Sequence, residues 1–154
     1  FAQRLRQARQ LAMPGIGLVL AALRPHVAMG VVTSAYAQHF QISHAATGML
    51  PHFDFVLTRE MYGESKPAPD GYQLGLQRLG LAAAQCVAVE DSPRGLRAAN
   101  AAGLECIIVR NHMNREHAFD DAFCVVESSA ELGAVLASFV PGMAQAPRQL
   151  EAFL

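Results

Sequence analysis

The sequence has few of the features that mark several functional classes. It holds three cysteines, an odd count without paired spacing, which argues against a disulfide framework or a cysteine-based zinc site. Cys86, Cys106 and Cys124 each sit in an apolar run and read as buried, inert thiols of a reducing, cytoplasmic compartment. No basic run is present and the net charge is -1, so a nucleic-acid partner is not expected. Apolar runs are broken by Gly, Pro, Arg and His well short of bilayer-spanning length, so no membrane partner is expected either. Internal repeats and low-complexity tracts are lacking. What is present is a chain of 154 residues, 52% hydrophobic and 16% charged, enough to build one domain with a real core.

Along the chain, apolar strand-like runs alternate with amphipathic helical ones. Residues 1–13 have helical spacing (Leu5, Ala8, Leu11), and Pro14-Gly15 ends them. Helices are predicted at 16–23, 36–47, 70–79 and 93–102, with a last one following the capping-box pair Ser128 and Glu131. Asp70 is expected to help cap the third of these, and Gly48 to close the second. Strands are predicted at 27–33, 53–57, 86–89, 106–109 and 124–126, the 86–89 run being expected to lie buried on both faces. Residues 141–154 read as a tail. The alternation gives an α/β class with a mostly parallel sheet and right-handed crossovers.

Three polar sites fall at comparable places in such a sheet. Thr33-Ser34 closes one strand, Lys66 precedes a helix that feeds another, and Glu90-Asp91 ends that other strand just before Ser92-Pro93, a helix-start signal. Each has a bland reading in isolation. Thr33-Ser34 reads as a helix cap, Lys66 as a solvated surface charge, and Glu90-Asp91 as a complement to a helix dipole. As a set they suit phosphoryl transfer: hydroxyl and amides for phosphate oxygens, a point cation, and two carboxylates for Mg²⁺. Arg94 and Asn111 lie near the same edge and read as helix-surface and loop residues. The six histidines, including His39/His44 and His112/His117, read as non-ligands.

These motifs resemble those of the haloacid-dehalogenase-like (HAD) hydrolase superfamily, in the branch with β-phosphoglucomutase and phosphoglycolate phosphatase. Val31-Val32-Thr33-Ser34 is similar to the family's second motif, Lys66 in S-K-P-A-P-D-G-Y to its third-motif lysine, and V-E-D-S-P-R-G to its fourth motif. The resemblance covers about residues 14–139. It implies a three-layer Rossmann-like core (residues 14–140) preceded by the remnant of an α-helical cap (1–13). It implies phosphate binding by Thr33, Ser34 and Lys66, catalytic roles for Thr33 and Lys66, and Mg²⁺ binding by Glu90 and Asp91. The substrate it implies is a small phosphorylated metabolite, such as a sugar phosphate or phosphoglycolate, acted on by a monomer or homodimer. A receiver-like signalling domain shares Thr/Ser, Lys and acids, but the K-P-A-P-D and E-D-S-P-x-G contexts speak against it.

One departure is serious. The family's first motif, an apolar strand ending in D-x-D whose first Asp is the nucleophile, has no match here; Asp54 and Asp120-Asp121 do not fit it. In the family that strand lies between those ending at Thr33 and Glu90. Its absence would leave two buried edges unpaired, at about 1–3 kcal/mol per lost hydrogen bond against a domain stability of about 5–15 kcal/mol. The expectation is therefore a longer natural polypeptide, with the nucleophile strand and most of the cap before Phe1. Direct pairing of the Thr33 and Glu90 strands would overturn it. The other reading is a catalytically inactive or truncated homologue that binds phosphate or a partner.

Overall fold

The computed structural model describes residues 12–143. The helix expected over 1–13 and most of the 141–154 tail therefore lie outside the described residues. Among the described residues, five helices and five strands follow in order: α1 (Ile16–Leu23), β1 (Gly30–Val32), α2 (Ala37–His44), β2 (Phe55–Leu57), α3 (Asp70–Leu79), β3 (Val87–Glu90), α4 (Pro93–Ala101), β4 (Glu105–Val109), β5 (Cys124–Val126) and α5 (Ser129–Ser138). Short 3₁₀ turns at Leu50–His52, Arg59–Met61 and Ala83–Gln85 join them.

Every strand pair is parallel. β1 pairs with β2 (Val31 opposite Val56), and β3–β4–β5 form a second piece (Val89 opposite Ile107, Ile108 opposite Val125). β1 and β3 are not paired with each other, and each keeps one edge without a strand partner among the described residues.

β4 shows why the layers form. Cys106, Ile107 and Ile108 are all essentially inaccessible, and alternate side chains serve opposite faces. Cys106 and Ile108 pack with Ala88, Leu96, Ala99 and Phe119 under α4, with Tyr72 and Leu76 of α3 alongside. Ile107 and Val109 pack with Val126, Leu132, Ile16 and Leu136 under α1 and α5. Ala98 and Ala99 are fully buried; with no bulk beyond Cβ they let α4 lie close on the sheet.

Several expectations need correction. β3 is not buried on both faces: Val89 is 42% exposed, although Val87 on the same face packs against the Ile107–Val126–Leu132 cluster. β1 is shorter than 27–33. Val27 still donates to Leu23 O, and Asp54 bonds both the amide and the carbonyl of Met29 while pairing with Arg24 at 2.8 Å. Asp70 does not cap α3; its carboxylate accepts from the Glu64 amide at 2.8 Å and closes the preceding loop. Gly48 adopts φ 72°, but α2 has already ended at His44. Ser128 does cap α5, accepting from Glu131 N at 3.1 Å, whereas Glu131 reaches back to the amide of Glu127 rather than Ser128.

Candidate active site

The carboxyl ends of β1 and β3 are brought together by the loop ahead of α3. Gly71 and Gly75 set α3 against β1: a Cβ on Gly71 would sit 2.8 Å from Val32 Cγ1, so a side chain there would push the helix off the strand. That close approach carries Lys66 and Tyr72 into the space between the two strand ends.

Thr33 lies just past β1. Its amide donates to Leu57 O (2.9 Å), its carbonyl accepts from the Tyr62 hydroxyl (2.7 Å), and its Oγ1 accepts from Ala35 N (3.1 Å). The hydroxyl proton is left for an incoming acceptor. Ser34 is exposed beside it. Lys66 donates to Val32 O at 3.0 Å and to Glu90 Oε1, with side-chain exposures of 13% for Lys66 and 8% for Glu90. The Lys66 ammonium also lies 4.9 Å from the centre of the Tyr72 ring, and the Tyr72 hydroxyl donates to the same Glu90 oxygen. Burial, and then the negative charge of Glu90, push the Tyr72 phenol up, so it stays protonated and acts as a donor. The other Glu90 oxygen faces Gly95, where a Cβ would collide with it. Arg94 reaches back from α4, its Nε donating to Lys66 O at 2.9 Å.

Glu90 and Asp91 therefore part company. As neighbours at a strand end they point to opposite sides. Glu90 turns inward to Lys66 and Tyr72. Asp91 is exposed, and among the described residues its carboxylate receives only a long contact from Asn111 Nδ2 at 3.4 Å. A framework set by Asn114, 3% exposed, supports it. Asn114 Nδ2 donates to Asp91 O (2.8 Å) and Val109 O (2.9 Å), while its Oδ1 accepts from Asn111 N (2.8 Å). Arg110 fastens the rest of this loop through the carbonyls of Asn114, Arg115 and His117. No group of three or more His, Cys, Asp or Glu side chains gathers into a metal cage among the described residues.

Thr33, Lys66 and Glu90 thus meet directly or through Val32, and Asp91 stands beside them. Tyr72 and Asn114 were missed from sequence. The N-x-x-N spacing of Asn111 and Asn114 was a weak signal. A stronger one, for Lys66, was that it is the single lysine of the chain.

A family model described as haloacid dehalogenase-like hydrolase matches residues 2–109. Protein CbbY of Cereibacter sphaeroides is 35% identical over 128 residues, 73% of this chain and 55% of that protein. Hexitol phosphatase A of Escherichia coli is 38% identical over 99 residues, 64% of this chain and 45% of its own length. The crystal structure of CbbY from Rhodobacter sphaeroides with xylulose-(1,5)bisphosphate superposes with a TM-score of 0.72 at 35% identity, covering 79% of this chain and 56% of that one. The chain spans about half the length of these relatives.

Proposed function

This chain belongs to the haloacid dehalogenase-like hydrolase family, and on that premise we propose that it carries the phosphate-, lysine- and metal-binding part of a Mg²⁺-dependent phosphatase or phosphomutase site for a small phosphorylated, sugar-like metabolite. The observation that carries the reading is the Lys66 ammonium, which spans the ends of β1 and β3 with two N–H groups committed to Val32 O and Glu90 and a third left for a phosphoryl oxygen. The Thr33 hydroxyl stands at the same edge with its proton uncommitted.

Asp91 fits Mg²⁺: it is a hard, exposed carboxylate with no strong partner among the described residues, and Mg²⁺ commonly takes one or two carboxylates, several waters and the substrate phosphate. Bound there, the ion would neutralise phosphate charge and orient the group for in-line attack. Thr33 and Lys66 would stabilise the charge on the transferring oxygens. The nucleophile would be an Asp on a strand not among these residues; the edges of β1 and β3 that have no strand partner among the described residues leave room for such a strand. That Asp would form an aspartyl-phosphate that water then cleaves. The names of the phosphatase and xylulose-bisphosphate-binding relatives support the substrate class.

The test is hydrolysis of p-nitrophenyl phosphate by the intact natural protein, with Mg²⁺ and with chelator, alongside Asp91→Asn. Mg²⁺-dependent turnover that falls at least about tenfold in the variant is expected, since ligand loss typically costs that much or more. Equal activity in both removes Asp91 from the metal. No activity under either condition favours the non-catalytic, phosphate-binding homologue.

A further inference from the structure

The side chain between Lys66 and Glu90 has no role in the reading above. Tyr72 sits in the first turn of α3 with its ring packed on the Ala88–Leu96–Cys106 cluster. Packing alone would be served by phenylalanine. The hydroxyl does something further: it donates to Glu90 Oε1, the oxygen that also receives Lys66. Glu90 Oε2 lies beside Gly95, where an added Cβ would meet it.

We propose that Tyr72 is a positioning residue for Lys66. Its hydroxyl pins Glu90 as the lysine's counter-charge, and its ring lies under the ammonium. Asp91, on the other side of the strand end, takes no part in this contact. The consequence for catalysis rests on the phosphoryl-transfer reading; the geometric role of Tyr72 does not. A cation–π contact of this kind fixes direction as well as charge, and a buried hydrogen bond to an ionised group is stronger than one between neutral groups.

The test uses Tyr72→Phe in the intact protein, which keeps the ring and removes only the hydroxyl, with Glu90→Gln read in parallel. The first measurement is the rate at which an amine-acylating reagent modifies Lys66, followed by peptide mapping. A side chain that merely fills the core would leave this rate unmoved. Removing one hydrogen bond to an ionised group should raise it about tenfold in Tyr72→Phe, and by more in Glu90→Gln. The second is aryl-phosphate kinetics: kcat should fall about tenfold, with KM and the Mg²⁺ half-saturation changed less than about twofold. Unchanged labelling of Lys66 in Tyr72→Phe overturns the positioning role whatever the activity and whatever Glu90→Gln shows. A Mg²⁺ half-saturation that shifts tenfold in Tyr72→Phe with Lys66 labelling unmoved puts the effect of the hydroxyl at the cation and overturns the positioning of Lys66. Raised labelling in a protein that hydrolyses no phosphate ester upholds Tyr72 and overturns the phosphoryl-transfer reading.

Discussion

Gly95→Ala separates helix propensity from the needs of the site, because the two predict opposite signs. Gly95 lies inside α4 without a positive φ, so alanine is compatible with its backbone, and propensity alone favours the change by about 1 kcal/mol. The added Cβ, however, would fall well inside 3.0 Å of both Glu90 carboxylate oxygens and of Cδ. The carboxylate is not the free end of a flexible chain, because Lys66 and Tyr72 both hold its Oε1 and the side chain is only 8% exposed. Retreat by about 1 Å takes bonds of this kind past useful length. Breaking a buried ion pair costs about 3–5 kcal/mol, so after the propensity gain the net destabilisation should be about 2–4 kcal/mol. With a urea m-value of about 2 kcal/mol/M, the midpoint falls by about 1–2 M. Urea denaturation followed by circular dichroism reads this directly. In a Glu90→Ala background the same glycine change should be neutral or stabilising, giving a coupling energy of comparable size. A Gly95→Ala protein as stable as the parent would refute the placement of the Glu90 carboxylate against α4.

Two other perturbations follow from the same geometry. Asn114→Ala removes a buried amide that serves Asp91 O, Val109 O and Asn111 N, so it should cost about 2–3 kcal/mol in urea denaturation. It should also weaken Mg²⁺ half-saturation of the intact enzyme several-fold; an unchanged metal response would mean that the loop does not frame Asp91. Burial, with a further push from the Glu90 charge, raises the Cys106 thiol to about 12. Thiolate is the reactive form, so at pH 8 a disulfide reagent should modify Cys86 and Cys124 well before Cys106, with Cys106 reacting only on unfolding. Equal rates at all three would contradict the packing of β4.

Much of the fold was legible because local signals and burial agree. Ser92-Pro93 sets the start of α4, Gly80 closes α3 at φ 66°, and the apolar run of β4 has both faces covered. β1 was misjudged because the reach of Asp54 to Met29, 25 residues away, leaves no trace in the local pattern. The site was legible as a set of chemical types, with Thr33, Lys66 and the acids at strand ends. The different orientations of Glu90 and Asp91 were only half visible. Strand alternation already says that adjacent acids diverge. Which one turns inward depends on Tyr72 and Gly95, and those become neighbours only when α3 and α4 pack on the sheet. Asn114 had no local signature beyond its spacing to Asn111.

The most direct measurement is Mg²⁺ binding to the intact protein by titration calorimetry in the presence of inorganic phosphate, for the parent, Asp91→Asn and Tyr72→Phe. With Asp91 as the carboxylate that meets the cation, Asp91→Asn should weaken binding at least about tenfold, while Tyr72→Phe leaves it within about twofold of the parent. Asp91→Asn binding as tightly as the parent would contradict the account.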